Sequence, residues 1–339
     1  EQDSELEILE PLMTLFHSSS LDQHTFLITG GAGFIGSHIV EYLLNNKAKK
    51  VRVLDNLSTG LQKNIDLFSN HPAFEFIQGD IRDFAICQKA CEGIDYVSHQ
   101  AALGSVPRSI KDPLTTNEVN ITGFINMITA AKDAHIKTFV YASSSSVYGS
   151  EPTLPKIENR VGEPLSPYAV TKKTNELYAS VFHELYGMQI IGFRYFNVFG
   201  PRQDPNGPYA AVIPLFIKGI LDKTPVYING DGEQTRDFTF ADNAVQANIR
   251  GLFCENQQAF GKVINVAVGE KFTVNYMYDA IKDMLQSQHE ATHRAPRAGD
   301  IRNSLADTSL AHALIGYAPT HRFMDGLKET VNFFVKIYR

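Results

Sequence analysis

Residues 25–36 read TFLITGGAGFIG: an apolar run enters a glycine turn and leaves it in a helix-forming pattern. Glycines recur at Gly30, Gly33 and Gly36. Gly30 can take the tight turn, Gly33 lets the backbone approach a pyrophosphate, and Gly36 lets the helix lie close on the sheet. The first turn of that helix, at Phe34 and Ile35, offers N–H groups with no partner inside the helix. A glycine triplet alone would mark only a turn, but here strand, turn and helix follow one another in the order a dinucleotide site needs. The next apolar run, KVRVLDN at 50–56, ends on Asp55, 25 residues after Gly30. A carboxylate there accepts hydrogen bonds from a ribose diol and repels a 2′-phosphate, which selects NAD over NADP. A strand-end cap is the plainer role for Asp55. Asp80 and Ile81 close the third run and are placed to meet an adenine; a surface turn is the alternative for Asp80.

The same rhythm continues. Strands are expected at 74–80, 94–102, 137–144 and 188–195, and helices at 33–44, 114–134 and 168–186. The strands are apolar throughout rather than alternating, as a parallel sheet covered on both faces requires. The fold expected is α/β: a Rossmann-like, doubly wound parallel sheet with a smaller mixed α/β C-terminal lobe. Residues 1–22 read as an N-terminal extension with a stripe of Leu6, Leu9, Leu12, Met13 and Phe16. Residues 23–196 form the NAD-binding domain. Residues 197–339 form mainly a substrate lobe, with helices near 210–221, 241–253, 273–286 and 323–336 and some segments returning to the first domain.

Two features carry chemistry. Tyr168 and Lys172 stand at i,i+4 on one helix face, just after Pro167 at the expected helix start. A tyrosine near pKa 10 is a poor base at neutral pH, and an adjacent ammonium favours its phenolate. The run Ser143-Ser144-Ser145-Ser146 ends the fifth strand, where parallel sheets bind ligands. Separately, a Tyr/Lys pair is commonly a solvated surface pair and a serine run commonly a turn. Together they point to hydride chemistry at a sugar or alcohol carbon.

With these motifs the chain resembles the extended short-chain dehydrogenase/reductase family, and within it the nucleotide-sugar 4-epimerases that act on UDP-N-acetylated hexoses. The likeness spans residues 24–338. It rests on TGGAGFIG at 29–36, DNLSTG at 55–60, HQAA at 99–102, YASSSSVYG at 141–149 and SPYAVTK at 166–172, then RYFNVFGPRQDPNGPYAAVIP at 194–214, GDGEQTRDF at 230–238 and RAGDIRNS at 297–304. The resemblance implies that Tyr168 is the base, that Lys172 lowers its pKa and binds cofactor, and that Ser144 shares in proton transfer with Ser143 beside it. It places Asn56, Ser58, Thr59 and Gly60 around the adenosine ribose and phosphate, and Gln100, Ala101, Ala102 and Tyr195 along the cofactor. On the substrate side it places Asn197 and Arg236 at the diphosphate, with Arg297 and Asp300 beside them. Ala211 and Val212 would lie near the uridine, across from Tyr227 and Asn229. Arg236 also suits a phosphate on chemistry alone, because guanidinium grips oxygens bidentately; pairing with Asp237 or Glu233 is the ordinary alternative.

The substrate expected is a UDP-sugar, and the reaction C4 epimerisation of UDP-N-acetylglucosamine and UDP-N-acetylgalactosamine through a 4-keto sugar. Ser304 holds the position where the family has a gate beside the sugar substituent, and serine leaves room for an acetamide. Gly104, Ser105 and Gln203 are further sugar-facing candidates. Unsubstituted glucose/galactose and hexuronic acid epimerisation remain alternatives. A dehydratase would carry an Asp-Glu pair where this chain has Ser144-Ser145-Ser146. A non-catalytic NAD-binding regulator would not need Tyr168 and Lys172. The formal charge of −6 argues against nucleic acid as partner. No run of 18 apolar residues suggests a membrane span. Cys87, Cys91 and Cys254 suit a reducing cytoplasm, and the i,i+4 pair Cys87/Cys91 reads as two buried small hydrophobes rather than a metal site. The resemblance further implies surface-glycan synthesis, such as that of lipopolysaccharide. It also implies a homodimer through helices 114–134 and 168–186, with Phe124, Met127, Tyr178 and Phe182 as contact candidates.

Overall fold

The computed structural model describes residues 15–206, 210–296 and 302–338. Six parallel strands form in chain order: β1 (Thr25–Thr29), β2 (Lys50–Asp55), β3 (Phe74–Gln78), β4 (Tyr96–His99), β5 (Thr138–Ser144) and β6 (Ile190–Tyr195). A seventh, Lys262–Val266, pairs parallel to β6 with Val266 opposite Tyr195. It reaches the sheet from the C-terminal half, outside the strand–helix rhythm of residues 25–195 from which the sheet was expected. The spatial order runs Lys262–Val266, β6, β5, β4, β1, β2, β3. The order reverses between β1 and β4, so a crevice opens at their carboxyl ends, where the glycine turn and the HQAA run emerge.

Both faces of the sheet are covered. Helix α1 (Phe34–Asn45) buries Ile39, Val40, Leu43 and Leu44 on one side, in a core shared with Ala244, Val245, Leu252, Ala311 and Tyr317. Thus the helices Ala241–Leu252 and Ser309–Ile315, from the second half of the chain, complete the first sheet. On the other face lie Phe84–Cys91 and Gly123–Asp133, with Cys87 and Cys91 in the core and their thiols pushed up to about 12 by burial. Phe124 and Met127 are also fully buried there, which corrects their expected place on a dimer face: they face the sheet of their own chain.

The helix expected at 114–134 is interrupted. Pro113–Asn117 and Gly123–Asp133 are joined by a π-turn at Glu118–Thr122. Asn120 in that turn accepts from the Leu103 N–H (2.7 Å) and donates to the Leu103 carbonyl (3.1 Å) and to Thr171 Oγ1 (3.2 Å). One widened turn therefore ties the loop after β4 to the helix carrying Tyr168.

The second core gathers Phe199, Phe216, Phe238, Phe240, Met277, Phe323 and Phe334 among the helices Val212–Leu221, Val274–Met284 and Phe323–Tyr338. Three two-stranded pairs frame it, among them Tyr227–Asn229 with Thr292–Arg294. Of the N-terminal stripe, Leu6, Leu9, Leu12 and Met13 lie outside the described residues. Phe16 is buried, stacks on Tyr42 at 5.1 Å and donates its N–H to the Tyr42 hydroxyl (2.7 Å).

Candidate active site

The turn after β1 has no room for side chains. A Cβ on Gly30 would stand 2.7 Å from the Ala101 nitrogen, and one on Gly36 would stand 2.2 Å from the Gly30 carbonyl oxygen. Gly33 caps α1 with no side-chain hydrogen bond, so the N–H groups of the first turn, at Phe34 and Ile35, are left for an external anion. Beside them opens a cavity of about 90 Å³ lined by Gly30, Gly33, Asp55, Asn56, Ser58, Thr59, Gly60, Ile81, Gln100, Ala101 and Ala102, with Leu54, Gly79, Leu103 and Val119. The Asp55 carboxylate is aimed by two backbone donors, Ala32 N (3.0 Å) and Leu57 N (2.8 Å), while burial raises its pKa. Each oxygen keeps acceptor capacity for a diol. Backbone cradle, helix start and buried carboxylate fit a dinucleotide whose ribose carries no phosphate.

Seven cofactor candidates stand outside that lining: Phe34, Ile35, Gly36, Asp80, Tyr195, Tyr168 and Lys172. Phe34 and Ile35 belong to α1 and offer main chain. Asp80 is gripped bidentately by Arg82 (2.8 and 3.0 Å) and bonded by Asn56, which holds it down to about 2. Tyr195 lies beneath the cavity: its hydroxyl donates to Gln100 Oε1 (3.2 Å) and accepts from Asn248 (2.7 Å), orienting Gln100 from behind.

The helix Pro167–Tyr186 starts because Ser166 caps Ala169 N (3.2 Å) and Pro167 occupies its first turn. The Tyr168 N–H is held by Ser109 Oγ (3.0 Å). Both Tyr168 and Lys172 turn inward onto the end of β5. Burial raises the Tyr168 pKa, and a hydrogen bond from Ser144 opposes it. Ser144 Oγ accepts from Ser146 N (3.1 Å), which directs its proton outward. Lys172 Nζ donates to the Ala142 carbonyl (2.7 Å) and sits 5.9 Å from the Tyr168 ring centre. Burial brings it down to about 8, and Glu176 pulls the other way. The phenol here is a weaker acid than in water, so its ionisation needs positive charge from Lys172 and an oxidised nicotinamide. Ser143 is not part of this arrangement. Its hydroxyl leaves the strand on the other face from that of Ser144 and donates to Glu176 Oε1 (2.6 Å), two turns beyond Tyr168 on the same helix.

A second cavity, about 260 Å³, opens past the end of β6. It brings together Asn197, Gln203, Ala211, Val212, Tyr227, Asn229 and Arg236 over an apolar floor that includes Phe199, Ile213, Phe216, Phe238 and Val274. Asn197 adopts φ +38° and donates to the Asp237 carbonyl (2.8 Å). Arg236 donates to the carbonyls of Thr235 (2.9 Å) and Arg302 (3.3 Å). Asn229 accepts from Arg294, whose guanidinium lies 5.1 Å from the Tyr227 ring centre. Ser304 is buried, donates its N–H to the Thr235 carbonyl (3.0 Å), one residue from Arg236, and lines neither cavity. Ser105 caps the short helix Val106–Lys111 through Arg108 N (3.4 Å), and Gly104 before it is exposed. Neither lines the two cavities. Arg297 and Asp300 lie outside the described residues.

The apolar floor and Leu103, Val119 and Gln234 escaped the sequence reading. They come from segments far apart in the chain, and nothing in their local pattern separates a cavity floor from a core.

Comparison with known proteins follows the same lines. Residues 26–267 match the model of the NAD dependent epimerase/dehydratase family. A putative UDP-glucose 4-epimerase of Methanocaldococcus jannaschii is 38% identical over 91% of this chain and 97% of its own length. A UDP-N-acetylglucosamine 4-epimerase from Methanobrevibacter ruminantium M1, solved with UDP-N-acetylmuramic acid, is 42% identical with a TM-score of 0.87, over 93% of this chain and 99% of that one. A UDP-glucuronic acid 4-epimerase from Bacillus cereus, solved with NAD and UDP-4-deoxy-4-fluoro-glucuronic acid, is 32% identical with a TM-score of 0.86, over 93% and 100%.

Proposed function

This chain belongs to the NAD dependent epimerase/dehydratase family, and from that premise we propose that it interconverts UDP-N-acetylglucosamine and UDP-N-acetylgalactosamine at C4. Its cofactor is NAD. The observation that carries the chemistry is the attachment of Tyr168 and Lys172 to Ser144 and Ala142 at the end of β5. That strand end neighbours β6, with Ser144 opposite Tyr195, and Asn197 of the second cavity follows two residues later.

Gly30, Gly33, Asp55 and the Gln100–Ala102 backbone hold the cofactor, and Lys172 secures its nicotinamide end. Bound there, NAD would supply the hydride acceptor for C4 and the hydride donor for its opposite face. Tyr168, as phenolate, takes the 4-hydroxyl proton, with Ser144 aligning the hydroxyl and bridging the transfer. Lys172 holds the charge of that phenolate in a buried site. Arg236 and Asn197 grip the diphosphate, and the residues at 211–212 and 227–229 hold the nucleoside. Affinity placed there lets the 4-keto ring turn without leaving. On return, Tyr168 gives its proton to the new hydroxyl.

Ser304, small and suspended beside Arg236, supports an N-acetylated sugar, as does the 42% identity to an enzyme named for such a substrate. Ser145 and Ser146 offer no carboxylic acid for removing water, which separates this site from dehydration. The test is turnover of UDP-GlcNAc, UDP-glucose and UDP-glucuronate by the purified protein, with products resolved by NMR. UDP-GlcNAc and UDP-GalNAc should interconvert without added reductant and with the highest kcat/KM. Tenfold preference for UDP-glucose or UDP-glucuronate would overturn the substrate, and no epimerisation of any of them would overturn the reaction. Tyr168→Phe should lower kcat by roughly 10²–10⁴.

A further inference from the structure

Behind the catalytic strand lies a buried ion pair that the mechanism above does not use. Glu176 stands one turn beyond Lys172 on the same helix and is 5% exposed. Arg194 of β6, 3% exposed, meets it with two parallel bonds, Nε to Oε1 and Nη2 to Oε2, each 2.9 Å. Ser143 adds a third bond to Oε1 (2.6 Å). Arg194 is itself held by the Glu158 carbonyl (3.0 Å) and lies 4.8 Å from the Tyr148 ring centre.

The bonding pattern is ordered. Three helix residues spaced four apart, Tyr168, Lys172 and Glu176, bond to three consecutive strand residues: Ser144, the Ala142 carbonyl and Ser143. Rotation or sliding of the helix on the strand would break all three contacts together. Bidentate pairing and the Ser143 bond offset the desolvation of this carboxylate, and losing either partner would leave a buried charge uncompensated.

We propose that Glu176 is a positioning residue for the epimerisation, fixing the azimuth of the catalytic helix and keeping the Lys172 ammonium charged, with Arg194 and Ser143 holding it for that task. The inference rests on the Tyr168/Lys172 chemistry of the preceding section. The charged and titratable groups around the lysine fit it. His99 of β4 is kept neutral by complete burial, its pKa down to about 3, so it offers no second cation. Tyr141 of β5 stays a neutral phenol. Arg194 approaches from β6, and Lys173 reaches Glu176 Oε2 at 3.4 Å from the exposed side of the helix. Glu176 is the anion that raises the Lys172 pKa against burial.

The experiment is the pH profile of kcat from pH 6 to 10 for the parent, Glu176→Gln, Glu176→Met/Arg194→Met and Ser143→Ala, with NAD saturating. In the parent, kcat falls at high pH as Lys172 loses its proton. Removing the Glu176 charge moves that limb to lower pH by about one unit, a tenfold change in the ionisation constant, while KM for the UDP-sugar stays within about threefold, since the substrate-binding groups are untouched. The double methionine variant takes out both charges with apolar chains of similar length, which buried pairs tolerate. It folds and moves the limb in the same direction by a smaller amount, because loss of the Arg194 cation offsets part of the loss of the Glu176 anion. Ser143→Ala loses one bond and no charge, so kcat falls roughly fivefold or less with the limb in place. An unmoved limb in a folded charge variant, or a parent profile flat to pH 10, overturns the proposal. A parent that epimerises nothing overturns the earlier reading instead.

Discussion

At the scale of single residues, neighbouring hydroxyls have unlike fates. Ser143 and Ser144 are indistinguishable in a serine run, yet one meets a buried carboxylate and the other the Tyr168 phenol. Strand alternation decides this, and the strand expected at 137–144 does run through Ser144; what the sequence did not show is which face of it meets the Glu176 carboxylate. Ser304 shows the converse case. Its type, rather than its bonding, carries the argument, because its backbone is tied to Thr235, next to Arg236 of the second cavity, and its side chain is small. Ser304→Tyr should therefore fill space meant for an acetamide. The kcat/KM for UDP-GlcNAc should fall at least about tenfold, the scale of a steric mismatch of a few atoms, while that for UDP-glucose changes less than about threefold. Steady-state kinetics on the two substrates decide it, and an equal loss on both would remove Ser304 from the gate.

At the scale of elements, the glycine turn was readable because its glycines meet a spatial demand that no other residue satisfies. Gly36→Ala drives a methyl into the Gly30 carbonyl, and the start of α1 must move away from the phosphate cradle. Overpacking of this kind costs about 1–3 kcal/mol. The variant should melt several degrees lower, and its affinity for NAD should drop at least about tenfold by calorimetric titration. Gly104→Ala is the control: a Cβ there meets nothing within 4 Å, and the melting temperature should hold. Other elements carry no such mark. The π-turn at Glu118–Thr122 arises from bonds Asn120 makes to Leu103 and Thr171, partners that sequence spacing does not reveal. The strand Lys262–Val266 takes its place beside β6 only through the return of the chain from the second lobe. What was legible, then, was local: turn, strand, helix start and the Tyr168/Lys172 face. What was hidden depended on contacts between distant segments, as with the floor of the 260 Å³ cavity.

At the scale of the whole molecule, the helix that carries Tyr168 has a second face. Val170, Leu177, Tyr178, Val181 and Leu185 are all more than a third exposed, and the turns before it add Ile110 at 60% and Leu114 at 77%. Their positions repeat at helical spacing, so they form one apolar stripe rather than scattered contacts. A contiguous stripe of this kind marks an association surface. It lies opposite the side chains that reach the active site, so a partner can cover it without blocking substrate. A second copy presents the same stripe and can pair two helices from each protomer, the isologous arrangement of a twofold dimer. Light scattering should give about twice the chain mass of 37.7 kDa. Placing charges at the centre of the stripe with Leu177→Glu/Val181→Glu should return a monomer at micromolar concentration, because two carboxylates per protomer would meet their own copies in a desolvated contact. The Tyr168, Lys172 and Ser144 contacts lie on the buried side of the same helix, so the monomer should keep its NAD affinity within a few fold. A parent chain that scatters as a monomer would rule out the pairing, and this stripe would then be exposed in the working enzyme.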